Sequence, residues 1–422
     1  MFEFPIAIGL SPNTQTDDIW QALNALFMPW SWKEGSSVEK AEKWFKDYFG
    51  VSDAVSFNSG RSALYALLKI FNIGRGDEVI LQAFTCVAVP DPVIWTGAKP
   101  IFVDIEETLN IDPGLLEKHI NKKTKAIIVQ HTFGIPAKIE MIAKIAQKYN
   151  LILIEDCAHC IGATYKDKKI GTFGDAAFFS FGRDKVISSV FGGMAIINGK
   201  FNPSTSLRTR MENGKLREFQ QKLNYPSYFW ILQQLLHPIA FAIILPLYNI
   251  YLGKLILFLL QKLNLLSFPL FPEEKLGNKP DIFPLKYPNA LAQLVLVQLE
   301  KLDKYNLFRR ETAAYYFRQL KEFPNIQLPA RGKGAIYLRF NILIKNAEEL
   351  LKIARKKGLV LGNWYKNIID PRGVLYGKIG YKKGSCPSAE KTAGLSVNLP
   401  TYPRLTMIDL KRIVDLIPVR HS

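Results

Sequence analysis

The chain has 422 residues, of which 48% are hydrophobic and 22% charged, a composition that excludes a disordered chain and allows a large core in more than one domain. Lysine and arginine number 55 against 37 acidic residues, a net charge of +18, which favours anionic partners such as phosphorylated ligands or a negative membrane leaflet. Nucleic acid is not the expected partner, because no helix-turn-helix, zinc-finger or aromatic-basic pattern is present.

The opening "MFEFPIAIGL" has no basic n-region and too short an apolar run for a secretory signal. From about residue 52 to 200, short apolar runs alternate with amphipathic stretches. "AVSFNSG" reads as a strand running into a turn, and "RSALYALLKIF" as a helix through Leu64, Leu67, Leu68 and Phe71. "DEVILQAF" (strand), "VAVPDPVIWTG" (short helix), "KPIFVDI" (strand) and "GLLEKHI" (helix) follow. Then come "KAIIVQHTFG" (strand), "IEMIAKIAQKYN" (helix), "LILIEDCAH" (strand) and the strand-like "AAFFSF". Fully apolar strands between helices predict an α/β domain with a mainly parallel sheet covered on both faces. Ligands on such sheets bind at the carboxyl ends of the strands. Neither a G-x-G-x-x-G turn nor a Walker A loop occurs.

Tyr225 to Pro272 contains no acidic residue and only two lysines, Lys254 and Lys262. Pro238, Pro246 and Gly253 interrupt it, so a simple membrane-spanning helix is disfavoured. A proline-kinked helical hairpin dipping into one leaflet is expected, with Trp230, Tyr248 and Tyr251 at the interface. A buried helical pair or a dimer contact is the alternative. From Ala290 a long amphipathic helix with a basic second half is predicted, and 325–422 reads as a smaller α+β unit. The expected organisation is 1–205 as the large α/β domain, 206–280 as the apolar insert, and 281–422 as the long helix and small domain. Four cysteines, Cys86, Cys157, Cys160 and Cys386, are too few for a disulfide framework. The single C-x-x-C in "EDCAHC" lacks the second pair of a zinc site, so no metal and a reduced, cytosolic chain are expected.

Three places carry candidate chemistry. Asp156 ends the apolar strand "LILIE", where its carboxylate either caps the following turn or faces the protonated ring nitrogen of a cofactor. Ser59, Gly60, Arg61 and Ser62 form a turn at a helix start, suited to a phosphate or to capping alone. Lys185 lies in "FFSFGRDKVISSVFGG", five residues after Ser180 and shortly before Gly192-Gly193. A lysine after a strand-terminal aspartate, with a Ser/Gly turn upstream, fits a Schiff-base lysine for pyridoxal 5′-phosphate.

The runs "NSGRSALYALL", "GDEVILQAFTCVAV", "GAKPIFVDIEETLNID", "KTKAIIVQHTFG" and "LILIEDCAHCIGATYKDKKIGTFGDAAFFSFGRDKVISSVFGG" resemble, in this order, the DegT/StrS type of pyridoxal-phosphate sugar aminotransferases within fold-type I. The resemblance spans roughly 35–200, resumes at "NALAQLVLVQLEKLD" and returns at "CPSAEKTAGLSVNLPTYPRLT". It implies Lys185 as the Schiff-base residue, Asp156 on the ring nitrogen and His159 at the phenolic oxygen. It also implies Gly60, Arg61, Ser62 and Ser180 around the 5′-phosphate, with Arg61 in place of a threonine. Cys86 stands where many members have an aromatic residue stacked on the ring, a role for which Phe84 is the candidate substitute. The asparagine that the family lends across its dimer is not recognisable near "PLKYPNA".

The function implied is transfer of an amino group, from L-glutamate by resemblance, to a nucleotide-linked keto-sugar, with Lys185 as the proton-transfer base. Trp364 and Tyr365 either line the sugar pocket or pack the small domain. A homodimer at the cytoplasmic face of the membrane, serving surface polysaccharide or glycolipid synthesis, completes the expectation. A sugar dehydratase of the same fold, against which Lys185 argues, and a catalytically silent membrane scaffold are the alternatives.

Overall fold

Seven strands form the central sheet of the computed structural model, which describes residues 5–198 and 214–417. In chain order, α1 (Thr16–Leu26) and α2 (Ser36–Phe49) precede β1 (Asp53–Phe57) and α3 (Gly60–Ile70). There follow β2 (Glu78–Gln82), α4 (Pro90–Trp95), β3 (Lys99–Val103), β4 (Thr124–Gln130), α5 (Ile139–Lys148), β5 (Ile152–Asp156), β6 (Ala176–Ser180) and β7 (Gly193–Ile197). The sheet order is β1-β7-β6-β5-β4-β2-β3. Only β7 runs antiparallel, to β1 and β6, and the other neighbours are parallel. The expected mainly parallel sheet is therefore present, with β7 as an element the reading above did not assign.

Alternation along the strands explains the double cover. Ile127, Val129 and Leu153 face one core cluster, while Ala126, Ile128, Ile152 and Ile154 face the other, as a two-residue side-chain period requires. Gly193 opens β7 opposite Phe57 and Ser180. A Cβ there would lie 2.5 Å from the Gly60 nitrogen, so glycine lets β7 abut the start of α3.

The second half contains α6 (Tyr228–Ile244), α7 (Leu252–Lys262), α8 (Asn289–Glu300) and α9 (Leu302–Leu320). A three-stranded antiparallel sheet follows, ordered β8 (Ile326–Gln327), β9 (Arg339–Ile344) and β10 (Ser396–Pro400), with α10 (Ala347–Lys356) and α11 (Met407–Val414) packed on it. The single long helix expected from Ala290 is two helices meeting at Lys301. The expected boundary at residues 205 and 206 lies outside the described residues.

The apolar stretch is a helical pair, but its first helix belongs to the core. Trp230, Ile231 and Leu235 of α6 pack in the same cluster as Phe45 and Leu291. Trp230 is 6% exposed and meets Phe191 with ring centroids 5.4 Å apart, which corrects its assignment to a membrane interface. Tyr248 packs partly buried against the pair's own small cluster of Phe241, Ile244, Leu245 and Leu266. Tyr251 is exposed, as are Leu255, Phe258, Leu259 and Leu263 along α7. No helix among the described residues is long and apolar enough to cross a membrane.

Ile231→Ala is expected to lower unfolding stability by about 2–4 kcal/mol, whereas Phe258→Ser shifts it by less than about 0.5 kcal/mol. Denaturant unfolding of the two variants checks this, and equal effects would contradict the placement of α6 in the core.

Candidate active site

Asp156 closes β5, Ser180 closes β6 and Gln130 closes β4, so three parallel strands deliver polar side chains to one edge of the sheet. They line a cavity of about 340 Å³ together with Ser59, Gly60, Arg61, Cys86, His159, Lys185, Arg339, Trp364 and Tyr365. The structure thus brings together most of the residues singled out in the sequence. Lys185 sits in the loop after β6, where its backbone N–H donates to Gly182 O at 3.1 Å.

The Lys185 amine lies 2.9 Å from His159 Nε2. His159 Nδ1 accepts from the Phe133 N–H at 3.4 Å, which leaves the ring proton on Nε2 and makes it the donor to Lys185. Burial lowers the pKa of Lys185 from its ordinary value, and burial together with the Lys185 and Arg339 charges holds His159 well below the usual imidazole range.

Asp156 accepts from the Ala158 N–H at 3.0 Å through Oδ1, so it caps a turn, with no helix following. Burial pushes its carboxyl up to about 6 despite that hydrogen bond and the Lys185 charge. A buried carboxylate kept at this cost fits a cationic ligand group. Opposite, Ser59 caps α3 by accepting from the Ser62 N–H at 3.1 Å, and a Cβ on Gly60 would lie 3.0 Å from Ser180 Cβ. The bare first turn of α3 beside two serines is a cradle for a phosphate. A cavity-facing amine with a lowered pKa, a buried carboxylate and a helix-start cradle fit pyridoxal 5′-phosphate.

Several assignments need correction. Ser62 is fully buried and its hydroxyl donates to Asn58 Oδ1 at 2.7 Å, so it braces the turn while Ser59 lines the cavity. Phe84 packs edge-on against Tyr365 and Phe133 in the core behind the site and is not on the cavity wall. Cys86 is on the wall, with its thiol pushed up to about 12 by burial. Arg61 lines the cavity, but its guanidinium pairs with the buried Glu274 carboxylate, donates to Pro269 O at 3.0 Å and lies 4.3 Å over Phe283. Its charge is therefore matched within the protein. Asp91, close by, is pushed up to about 9 by burial and by Glu274, so it stays neutral.

Sequence reasoning missed Arg339 and Asp184. They form an ion pair between a buried guanidinium and a partly exposed carboxylate, and Arg339 stacks 3.6 Å over the Trp364 ring. Although burial opposes it, Arg339 holds Asp184 below the usual carboxylate range. Arg339 lies in an apolar strand, a signal readable as an outlier but not as a partner for a residue 155 positions away. His131, Glu155 and Cys157 fall within metal-ligand distance of one another. Both Glu155 oxygens, however, already accept backbone N–H groups of Gly171, Phe173 and Gly174.

This sheet, with a lysine, an aspartate and a phosphate cradle at its carboxyl edge, defines a fold-type I pyridoxal-phosphate enzyme. Residues 13–214 and 283–418 match the DegT/DnrJ/EryC1/StrS aminotransferase family, and the chain belongs to it. It is a pyridoxal-phosphate-dependent sugar aminotransferase. The GDP-perosamine synthase of Caulobacter vibrioides is 37% identical over 422 residues, covering 98% of each chain. The dTDP-3-amino-3,6-dideoxy-alpha-D-galactopyranose transaminase of Aneurinibacillus thermoaerophilus is 27% identical over 95% of this chain and 94% of its own. Among solved structures, DesV of S. venezuelae superposes with a TM-score of 0.71 at 25% identity, over 95% of this chain and 93% of that one.

Asp156→Asn tests the electrostatic cost of the site. The ordinary value of 3.8 rises to about 6 in the fold, so the unfolded chain releases this proton first. Ionised Asp156 therefore lowers stability progressively between those pH values and fully above them. Without cofactor, Asp156→Asn is expected to be more stable than the wild type at neutral pH by about 1–3 kcal/mol, yet to retain cofactor poorly. Unfolding of the cofactor-free proteins across that pH window checks it, and parallel curves would contradict it.

Proposed function

We propose that the chain moves an amino group from L-glutamate to a nucleotide-linked keto-sugar for surface polysaccharide or glycolipid synthesis. The observation that carries the reading is the Lys185 amine, 2.9 Å from His159 Nε2 and lowered in pKa by burial, in one cavity with the buried Asp156. When bound, pyridoxal phosphate supplies an electron sink conjugated to the substrate's amine-bearing carbon. Asp156 is the residue to hold the cofactor's ring nitrogen protonated. Ser59, Gly60 and Ser180 are placed for its phosphate. Lys185, with a lowered pKa, is neutral more readily than an exposed lysine and takes or returns a proton at Nζ. His159 orients that amine through Nε2. Trp364 and Tyr365, on the wall under Arg339, are suited to cover a sugar ring.

The names of the relatives support a nucleotide sugar as acceptor. Retention of Lys185 favours amino transfer over the dehydratase alternative. Purified enzyme is expected to be yellow, to lose that band with L-glutamate, and to regain it with the right nucleotide keto-sugar; Lys185→Ala abolishes the cycle. A colourless wild type saturated with cofactor would overturn the reading.

The reading also includes a homodimer and work at the cytoplasmic face of the membrane. The exposed apolar row of α7, flanked by Lys254 and Lys262, and the charge of +18 support contact with an anionic leaflet. Flotation with vesicles of anionic phospholipid is expected to carry the wild type upward and to leave Leu255→Ser/Phe258→Ser/Leu259→Ser behind. A wild type that stays at the bottom sinks the membrane part, and light scattering then tests whether a second copy covers this face.

A further inference from the structure

The cavity has further polar lining beyond the sheet edge, contributed by the lysine loop and the helical pair. Arg183, two residues before Lys185, lines it with His237 of α6 and Gln261 of α7. The Arg183 guanidinium donates to Ser267 Oγ at 2.6 Å. Ser267 in turn donates to Gln234 Oε1 at 2.7 Å, so the serine is fixed as an acceptor toward the arginine. Arg183 Nε is buried without a hydrogen-bond partner, and so is His237 Nδ1. His237 is 2% exposed, with its other nitrogen 2.6 Å from Ser11 Oγ.

The charges around this wall do not balance within the protein. Asp184, the neighbouring carboxylate, is paired with Arg339, and Glu274 is paired with Arg61. Burial lowers Arg183 to about 9, and burial with the Arg183 charge keeps His237 well below the usual imidazole range. A buried guanidinium with an idle N–H, beside an idle buried imidazole nitrogen, is costly unless a ligand meets it. Guanidinium geometry selects carboxylate or phosphate.

We propose that Arg183, anchored by Ser267 and flanked by His237, forms an anion subsite that receives a carboxylate or phosphate of one of the substrates beside Lys185. The subsite rests on the aminotransferase reading only for the identity of those substrates. Its anion is either a carboxylate of the amino-acid donor or a phosphate of the nucleotide-linked acceptor. The helical pair thereby acts in substrate recognition as well as in packing.

The test titrates the cofactor-loaded enzyme with glutarate, for the donor, and with guanosine diphosphate, for the acceptor, following the visible cofactor band. Arg183→Gln is expected to keep the band and to weaken one of the two probes by about tenfold to a hundredfold, the loss of a charge-assisted hydrogen bond. Arg183→Lys restores part of the affinity. Weakening of glutarate assigns the subsite to the donor, and weakening of guanosine diphosphate to the acceptor. Should Arg183→Gln fail to load cofactor, Ser267→Ala keeps the charge and removes its anchor, with a weakening in the same arm. Unchanged affinity for both probes, or a wild type that binds neither, overturns the proposal. Because binding is read without turnover, it stands or falls separately from the keto-sugar assignment.

Discussion

Lys185 presents an amine to a cavity that offers it little water, and an ammonium there is held only against the cost of desolvation. Burial favours the neutral form, although the nearby Asp184 and Asp156 carboxylates pull the other way. His159, with Nδ1 taken by a backbone N–H, has only a donor to offer. The carboxylate nearest in sequence, Asp184, is bound to Arg339 and does not pair with the lysine. An amine so placed is a nucleophile and a base without further activation. The geometry of the strand ends, the glycine contacts at 60 and 193 and the pairing of distant charges all serve to keep it there.

Closing the cavity takes residues from far apart in the chain. Glu274, just beyond the helical pair, reaches Arg61 at the start of α3, and Ser267 reaches Arg183 in the lysine loop. The stretch outside the family match, residues 215–282, is therefore tied by polar contacts to the two segments that frame the cofactor cradle. Its apolar side chains fill the space between α1, α8 and the loop after β6. A segment that buries itself this way shapes the site it covers, since water exclusion strengthens every electrostatic contact inside.

Much of this was legible in the sequence, for a physical reason. Strands buried on both faces must be apolar throughout, so β2, β4 and β5 announced themselves, and a polar residue ending such a run marks the edge where ligands bind. Asp156 and Ser180 stand at such ends, whereas Lys185, in the loop beyond, was singled out by its order after Asp156 and the Ser/Gly turn and by the family resemblance. Trp230 did not, because hydropathy measures transfer from water and is silent on whether lipid or protein receives the side chain. Arg61 was readable as a cation at a helix start but not as one already matched by a carboxylate more than two hundred residues later. Ser62 and Phe84 failed for a similar reason, since adjacency in a motif does not say which hydroxyl or ring faces the ligand. β7 escaped notice because its short apolar run follows a glycine pair, which reads as a turn.

The remaining charges show how such a site stays soluble yet selective. Arg61 with Glu274 and Arg339 with Asp184 are internally matched pairs, and Asp91 is held neutral by its surroundings. Also facing the cavity are the carboxylates of Asp156 and Asp370, the latter accepting from Asn367 Nδ2 at 3.2 Å, and the Arg183 guanidinium, around the Lys185 amine. Matched pairs add little net stabilisation over well-packed apolar residues, but they fix side chains in place. Asp156, Asp370 and Arg183 make no ion pair among the described residues, so a ligand group of opposite charge is the natural complement to each. A zwitterionic arrangement of this kind favours a bound assembly carrying both signs in a fixed orientation.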